Sequence, residues 1–238
     1  VDLFGCLSDY DSISEICLNN QLFLIQDAAQ SFGASNNEKK SCSYGNISAT
    51  SFFPAKPLGC YGDGGAVFSS DPEIVEKILS IREHGKGTDK YDNVRIGING
   101  RLDTIQAAVL IEKLKVFDDE IVKRNIIAKK YSDRLTDVAR CPVISYGDTS
   151  AWAQYSIVLR NTDERERVKA HLSFNNIPSM IYYKKPLHLQ GSYSSLGYRL
   201  GDFPISESIS DSILSLPMHP YLTDDDIEHV VTTIKEQF

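Results

Sequence analysis

The sequence lacks features that define several large classes of protein, and each absence excludes one of them. No stretch approaches the ~18 consecutive apolar residues that a membrane-spanning helix requires. The 5 cysteines in 238 residues are scattered without a C-x-x-C pair, which favours reduced thiols and a cytoplasmic protein. Acidic residues outnumber basic ones, 32 to 25, and the net charge of −7 argues against nucleic acid as a partner.

Metal and nucleotide motifs are also lacking. His84, His188 and His219 do not have the spacing of metal ligands, so no metal site is predicted. The glycines within residues 59–65 are not followed by G-K-[ST], so they are not a P-loop, and their ordinary interpretation is a turn into a strand. The sequence begins at Val1 without a methionine, and we expect that a segment is missing upstream.

Apolar patterning predicts an α/β chain with a smaller α+β second half. A helical period over residues 12–19 precedes an apolar strand over residues 22–25, which predicts Asp27 at the carboxyl end of a strand, where open α/β sheets bind ligands. Further strands are predicted over residues 47–53, 66–69, 153–159 and 178–183, helices over 71–82, 102–118, 119–137, 164–175, 205–214 and 224–237, and loops over 35–46 and 186–203.

Lys56 lies in a stiff loop between Pro54 and Pro57. Pyridoxal phosphate requires a lysine amine that reacts with its aldehyde and an acid that keeps its pyridine nitrogen protonated. Lys56 and Asp27 could supply both groups, but their spacing alone also fits a surface lysine and an ordinary strand-end aspartate. Ser51 could bind a phosphate or cap a backbone group.

Asn99 and Arg101 precede the long predicted helix. An amide and a guanidinium at a helix N-terminus are suited to binding an anion. The alternative is that Asn99 or Asp103 caps the first N–H groups of the helix.

At these residues the chain resembles the pyridoxal-phosphate-dependent sugar aminotransferases of the DegT/DnrJ/EryC1/StrS family. The matching motifs are Ile25–Ala34, Ser51–Gly59, Gly62–Ala66, Arg95–Ala108, Pro186–Gln190, Gly201–Pro204 and Leu216–Thr223. The resemblance implies an α/β, aspartate-aminotransferase-like fold (fold type I) with a mainly parallel sheet. It assigns residues 1–118 to the carboxyl-terminal part of the cofactor-binding large domain and residues 119–238 to a small α+β domain.

The resemblance also implies a role for each cofactor-binding residue. Lys56 would be the catalytic Schiff-base lysine and the proton carrier at the reacting carbon. Asp27 would pair with the pyridine nitrogen, Gln30 would lie beside the ring hydroxyl, and Ser51 would bind the cofactor phosphate. Asn99 would reach the phosphate of the neighbouring subunit's cofactor, which implies a homodimer with shared active sites.

Arg101, Tyr183 and His188 are the substrate-binding residues that the resemblance implies. The closest subgroup acts on UDP-2-acetamido-3-keto-glucuronic acid, with glutamate as amino donor, in the synthesis of surface polysaccharides such as the lipopolysaccharide O-antigen. Tyr182 departs from a histidine that is frequent in the family, so one sugar contact differs. A 4-keto sugar remains an alternative substrate, whereas a related dehydratase branch has histidine in place of Lys56.

Family members are longer at the amino end, where part of the cofactor site lies. We therefore expect poor retention of pyridoxal phosphate and weak or no activity from this chain alone. The second functional alternative is an inactive remnant that acts only as a dimerising or structural protein.

Overall fold

The computed structural model describes residues 1–37, 39–89 and 91–238, which form two compact units. The first unit comprises Val1–Val122 with Ile144–Ala153, and the second comprises Lys123–Val143 with Gln154–Phe238. A compact unit is not by itself an independently folding domain. The predicted domain boundary after residue 118 therefore stays a prediction.

Eight short strands, six α-helices and three short 3₁₀ helices (Leu3–Gly5, Leu187–Leu189 and Gly191–Leu196) form the regular structure of the described residues. The strands are β1 (Ile25–Asp27), β2 (Ser35–Asn36), β3 (Lys39–Lys40), β4 (Ile47–Ser51), β5 (Gly65–Phe68), β6 (Asp148–Thr149), β7 (Tyr155–Val158) and β8 (Ile213–Leu216). The helices are α1 (Tyr10–Asn19), α2 (Pro72–Arg82), α3 (Thr104–Leu135), α4 (Thr162–Phe174), α5 (Pro204–Ser212) and α6 (Asp224–Lys235). No helix in the described ranges is both long and apolar enough to cross a membrane.

The sheet that carries the candidate site is mixed rather than mainly parallel. Its strand order is β1-β4-β5, with β1 parallel to β4 and β5 antiparallel to β4. The reason is that the loop after Ser51 turns the chain straight back, so Gly65 at the start of β5 lies opposite Ser51 at the end of β4. A return of this kind needs no crossover helix.

Two helices, α2 and α6, begin at the predicted residues, where side chains cap them. The Asp71 side chain accepts a hydrogen bond from Glu73 N (2.8 Å), and Pro72 fills the first helical position of α2. Thr223 and Asp226 form a capping box at α6, with Asp226 N donating to Thr223 Oγ1 at 3.1 Å. These starts are fixed by local bonds, and the structure confirms both.

The long helix α3 is one continuous element where the sequence predicted two successive stretches. Its amino-terminal half packs Leu110, Phe117 and Ile121 into the core of the first unit. The same core contains residues of the lysine loop, Leu58 and Cys60, so the loop rests on packed side chains.

Four predicted elements are wrong. The strand predicted over residues 22–25 shares only Ile25 with β1, and residues 22–24 lie outside it. Residues 178–183 are not a strand, and only Met180 makes an isolated bridge, to Ser215. The helix predicted over 205–214 ends at Ser212, because the four buried residues Ile213–Leu216 pair instead with β7. Residues 35–40, predicted as loop, contribute β2 and β3, and β6 pairs with β2 from far along the chain.

The second unit is a two-stranded antiparallel sheet with helices. β7 pairs with β8 in the register Tyr155 opposite Leu216, and Tyr131 of α3 lies 5.1 Å from the ring of Tyr155. The largest fully buried side chains of this unit are Tyr131, Tyr155, Leu135, Ile157, Leu172, Leu214, Ile227, Ile234 and Val168. Its α+β character agrees with the predicted fold class.

Candidate active site

The predicted acid, hydroxyl and amine follow neighbouring strands at one edge of the sheet. Because β1 and β4 are parallel, with Asp27 opposite Ala49, their carboxyl ends point the same way. Asp27 is the last residue of β1 and Ser51 the last residue of β4. Lys56 follows Ser51 in the loop that leads to β5. The structure therefore brings these three predicted residues to the ligand-binding edge of an open α/β sheet.

Asp27 presents an exposed carboxylate on a firmly held main chain. Its Oδ1 atom accepts a hydrogen bond from Ala29 N at 3.0 Å, and Oδ2 accepts none from the described residues. The next residue, Ala28, is fully buried, and its N–H donates to Ala49 O at 2.8 Å. Thr50 Oγ1 in turn donates to Ala28 O at 2.9 Å. Two bonds to β4 thus fix the turn that carries the carboxylate.

Gln30, the residue predicted beside the cofactor ring, lies in the same turn. Its side-chain carbonyl accepts a hydrogen bond of 2.6 Å from Phe4 N, and the residue is half-buried. A side-chain amide whose oxygen is held by a backbone N–H has a fixed orientation, with its NH₂ group directed away from that donor.

Ser51 keeps a hydroxyl proton that it can donate. Its Oγ accepts a hydrogen bond from Phe53 N at 3.2 Å, and the residue is half-buried. A hydroxyl that accepts one bond still has its own O–H for a second partner. Both interpretations of Ser51 from the sequence, a backbone cap and a phosphate ligand, are therefore compatible.

The two ends of the lysine loop are hydrogen-bonded to each other, and we call this base of the loop, where residues 52–54 face residues 59–64, the neck. Phe52 N donates to Gly64 O and Cys60 N donates to Phe52 O, each at 2.8 Å. Within the loop, Lys56 N donates to Phe53 O at 2.9 Å. Gly59 lies so near the opposite side that an added Cβ would lie 2.6 Å from Pro54 O. The half-buried Lys56 therefore sits on a loop that its own backbone holds rigid.

Two side chains of α3 hold the far end of this loop, and sequence reasoning missed both. Gln106 Oε1 accepts a hydrogen bond from Tyr61 N at 2.7 Å. Lys113 Nζ donates to Gly59 O and lies 5.3 Å from the centre of the Tyr61 ring. No local pattern reveals such contacts, because they join residues far apart in sequence. The only available signal was that Gln106 falls within the motif 95–108.

Asn99 and Arg101 lie together on exposed backbone before α3. Arg101 Nε donates to Asn99 Oδ1 at 3.4 Å, and Asn99 forms an isolated bridge with Glu83. Neither side chain hydrogen-bonds to Asp27 or Lys56 within the described residues. Their predicted contacts with a neighbouring subunit's phosphate and with substrate stay predictions.

Tyr183 and His188, predicted to bind substrate, belong to the second unit. Tyr183 is 51% exposed. His188 is nearly buried, with Nε2 2.8 Å from Glu207 Oε1 and its ring 4.7 Å from that of Phe203. Burial raises the pKa of Glu207, but the N–H of Gly201, His188 and the N–H of Phe203 outweigh it and hold that pKa below its usual range. His188 thus anchors its loop to α5, and its predicted substrate contact stays a prediction.

The chain is similar to known aminotransferases over nearly its whole length. The chain is 40% identical over 235 residues to the UDP-2-acetamido-2-deoxy-3-oxo-D-glucuronate aminotransferase of Pseudomonas aeruginosa, an alignment that covers 98% of the chain and 64% of that protein. A crystal structure of a DegT DnrJ EryC1 StrS aminotransferase from Brucella abortus is 50% identical, with a TM-score of 0.94 over 99% of this chain and 62% of that one. The chain thus spans slightly less than two thirds of the relatives it matches.

A further solved structure, of DesV from S. venezuelae, is 32% identical with a TM-score of 0.92, over 99% of this chain and 63% of that one. These similarities confirm the predicted aspartate-aminotransferase-like fold. The family model of the DegT/DnrJ/EryC1/StrS aminotransferases matches residues 1–235. The chain therefore belongs to the DegT/DnrJ/EryC1/StrS aminotransferase family.

Proposed function

We propose that this chain carries the lysine side of an active site that moves an amino group from glutamate to a nucleotide-linked keto sugar. The observation that carries the proposal is the parallel register of β1 and β4, with Asp27 opposite Ala49. Because of that register, Asp27, Ser51 and the Lys56 loop lie at the same edge of the sheet, although Asp27 is far from the other two in sequence.

Aminotransferases of this family use pyridoxal phosphate, and the groups at the sheet edge fit it. The cofactor has a basic ring nitrogen, a phosphate and an aldehyde. Asp27 offers the ring nitrogen a carboxylate oxygen that accepts no hydrogen bond from the described residues. Ser51 offers the phosphate a hydroxyl proton, and Lys56 offers the aldehyde a primary amine.

When bound, the cofactor supplies an aldehyde that takes up the amino group and a ring that withdraws electrons from the bond being broken. The Asp27 carboxylate keeps the ring nitrogen protonated, because an adjacent anion favours the charged form. Ser51 would hold the phosphate. Lys56 Nζ would hold the cofactor at its aldehyde, and the same amine would carry the proton at the reacting carbon.

Glutamate as donor and a UDP-linked 2-acetamido-3-keto-glucuronic acid as acceptor complete the proposal. The support is the 40% identity to the Pseudomonas protein, which is named for a 3-oxo sugar. Arg101, Tyr183 and His188 are the proposed sugar contacts, and the proposed assembly is a homodimer. A cytoplasmic location and a part in surface-polysaccharide synthesis belong to the same proposal.

The test of the site is chemical trapping of Lys56. Pyridoxal phosphate is added to the purified chain, the visible absorbance is recorded, and borohydride reduction fixes any adduct for peptide mass spectrometry. The proposal expects one dominant adduct at Lys56, absent in Lys56→Ala. Lys77→Ala, which removes an exposed lysine of α2, is the matched control and should leave both spectrum and adduct unchanged.

Equal spectra from wild type and Lys56→Ala, with label spread over surface lysines, would refute the site and favour the inactive remnant. If Lys56 is labelled, amino transfer from glutamate is assayed with UDP- and dTDP-linked 3-keto and 4-keto sugars. Faster turnover of a 4-keto sugar would overturn the proposed acceptor without affecting the cofactor site.

A further inference from the structure

The first residues of the chain form a buried polar cluster against the turn that carries Asp27 and Gln30. At its centre is Asp2, whose side chain is fully buried. Sequence reasoning gave no role to Asp2, and none of the family roles described above involves it. The contacts of this cluster all fall within the first unit.

Each oxygen of the Asp2 carboxylate accepts two hydrogen bonds. Oδ1 accepts from Tyr10 Oη at 2.6 Å and from Ser8 N at 3.1 Å. Oδ2 accepts from Ser31 Oγ at 2.7 Å and from Gln26 Nε2 at 2.8 Å. Two donors thus come from the neighbouring segment 8–10, and two from the residues that flank Asp27 and Gln30.

The proton positions around Oδ2 follow from the partners of these donors. Gln26 Oε1 accepts from Tyr44 N at 3.3 Å, so the amide must direct its NH₂ group toward Asp2. Ser31 gives its proton to Asp2, so Ser41 must donate to Ser31 Oγ across 2.6 Å. Every neighbour therefore donates, and only a carboxylate can accept all four bonds.

Tyr10 is held as a donor in the same way. Burial, together with the hydrogen bond to Asp2 and the charge of Asp2, raises the pKa of the Tyr10 hydroxyl far above its ordinary value. Its ring stacks on that of Tyr44 with the centres 4.3 Å apart. The donors on the Oδ1 side are consequently as fixed as those on the Oδ2 side.

The backbone of the same segment holds the two predicted cofactor residues directly. Asp2 N donates to Asp27 O at 3.0 Å, and Phe4 N donates to Gln30 Oε1 at 2.6 Å. The Asp2 side chain therefore hydrogen-bonds to Gln26 and Ser31, which flank Asp27 and Gln30. The main chain of the same segment hydrogen-bonds to Asp27 and Gln30 themselves.

We propose that Asp2 is a positioning residue of the active site, which holds residues 26–31 so that Asp27 and Gln30 keep the orientation that cofactor binding requires. This inference rests on the proposed function. A buried carboxylate is an expensive way to gain stability alone, because a well-packed apolar group often serves as well. Four hydrogen-bond donors converge on the Asp2 carboxylate, and two of them belong to residues beside Asp27 and Gln30. The buried charge therefore fixes the orientation of that turn.

The test compares Asp2→Asn with Asp11→Asn. The first change puts an NH₂ group among donors, facing either Gln26 Nε2 or Ser8 N, and releases the cluster. The second removes the same charge from an exposed position on α1 and is the matched control. Hydrogen exchange of residues 26–32 is measured on both variants without cofactor, and the absorbance of added pyridoxal phosphate is then recorded against pH.

We expect amide exchange over residues 26–32 to rise roughly tenfold to a hundredfold in Asp2→Asn, the range for a lost buried bond to a charged group. Peptides from β7 and β8 should not change. The affinity for pyridoxal phosphate should fall by a similar factor. With Asp27→Asn measured alongside as a reference, the pH profile of the absorbance in Asp2→Asn should shift toward the profile of that reference variant. A purely structural role would lower the melting temperature without that spectral shift.

Wild-type affinity and pH profile in Asp2→Asn would overturn the inference, even if the variant melts earlier. If the wild-type chain itself gives no lysine-linked absorbance, the proposed function fails. The exchange measurement alone then decides whether Asp2 holds residues 26–31 in place. Unchanged protection of residues 26–32 in Asp2→Asn would refute it in that case.

Discussion

Replacing Gly59 with alanine should displace the lysine loop without unfolding the protein. The added Cβ would lie 2.6 Å from Pro54 O and 2.8 Å from Phe53 O, and both are backbone atoms that no side-chain rotation can move. Ordinary carbon–oxygen contact begins at about 3.4 Å, so the two sides of the neck must separate by about 0.8 Å. Lys56 lies between them and must move as well.

Two magnitudes follow from this displacement. Overpacking of a close contact costs about 1–3 kcal/mol. At about 2–4 °C per kcal/mol for a chain of this size, the melting temperature should fall by about 2–12 °C. A misplacement approaching 1 Å at a reacting group can cost roughly a hundredfold in rate. The reaction of Lys56 with pyridoxal phosphate should therefore slow far more than the loss of stability alone would explain.

The assay is stopped-flow absorbance of the lysine–cofactor adduct beside a thermal melt. Gly191→Ala is the matched control, because an added Cβ there meets nothing within 4 Å and its backbone is not left-handed. The control should behave as wild type in both measurements. A wild-type rate of adduct formation in Gly59→Ala, together with the melting temperature of Gly191→Ala, would show that the neck is not rigid and would refute this prediction.

Three further predictions test other contacts. Lys113→Met removes the donor to the lysine loop and should lower the free energy of unfolding by about 1–2 kcal/mol, whereas Lys115→Met, an exposed control, should change it by less than about 0.5 kcal/mol; equal denaturant midpoints would contradict this. Thr223→Ala should cost about 0.5–2 kcal/mol through loss of the α6 cap, measured by urea unfolding, and an unchanged midpoint would refute the cap's contribution. The pKa of Glu207 in the folded protein is lowered from 4.5. The stability that its carboxylate contributes is therefore complete above pH 4.5 and is lost as the pH falls through that lowered pKa. The protection of residues 199–203, taken relative to the intrinsic exchange rate at each pH, should therefore decrease in acid, and less so in Glu207→Gln. Parallel pH curves would argue against the carboxylate.

Local signals predicted the starts of α2 and α6 and the strand end at Asp27. Asp71-Pro72 and Thr223 cap helices with their own side chains, so a few adjacent residues suffice to mark each start. Asp27 ends a strand as predicted, but that strand is Ile25–Asp27, and residues 22–24 of the predicted apolar strand lie outside it. The motifs around Asp27 and Lys56 also carried the family resemblance, which the comparisons confirm.

Pattern reasoning failed where burial overrode local preference. Ile213 and Leu214 were predicted as the end of a helix, but they begin β8, whose four residues are all buried in a strand pair with β7. The short strand β2 was read as loop because its pairing residues include Asp148, more than a hundred positions away. Propensity is a weak prior when a distant partner supplies the hydrogen bonds.

The sequence by itself determined which groups the site offers: a strand-end carboxylate at Asp27, a hydroxyl at Ser51 and a loop amine at Lys56. The tertiary structure decided how they are held. Only the fold could bring Asp2 against Ser31, or Lys113 against Gly59, because hydrogen bonds between residues far apart in sequence form only after the chain has packed.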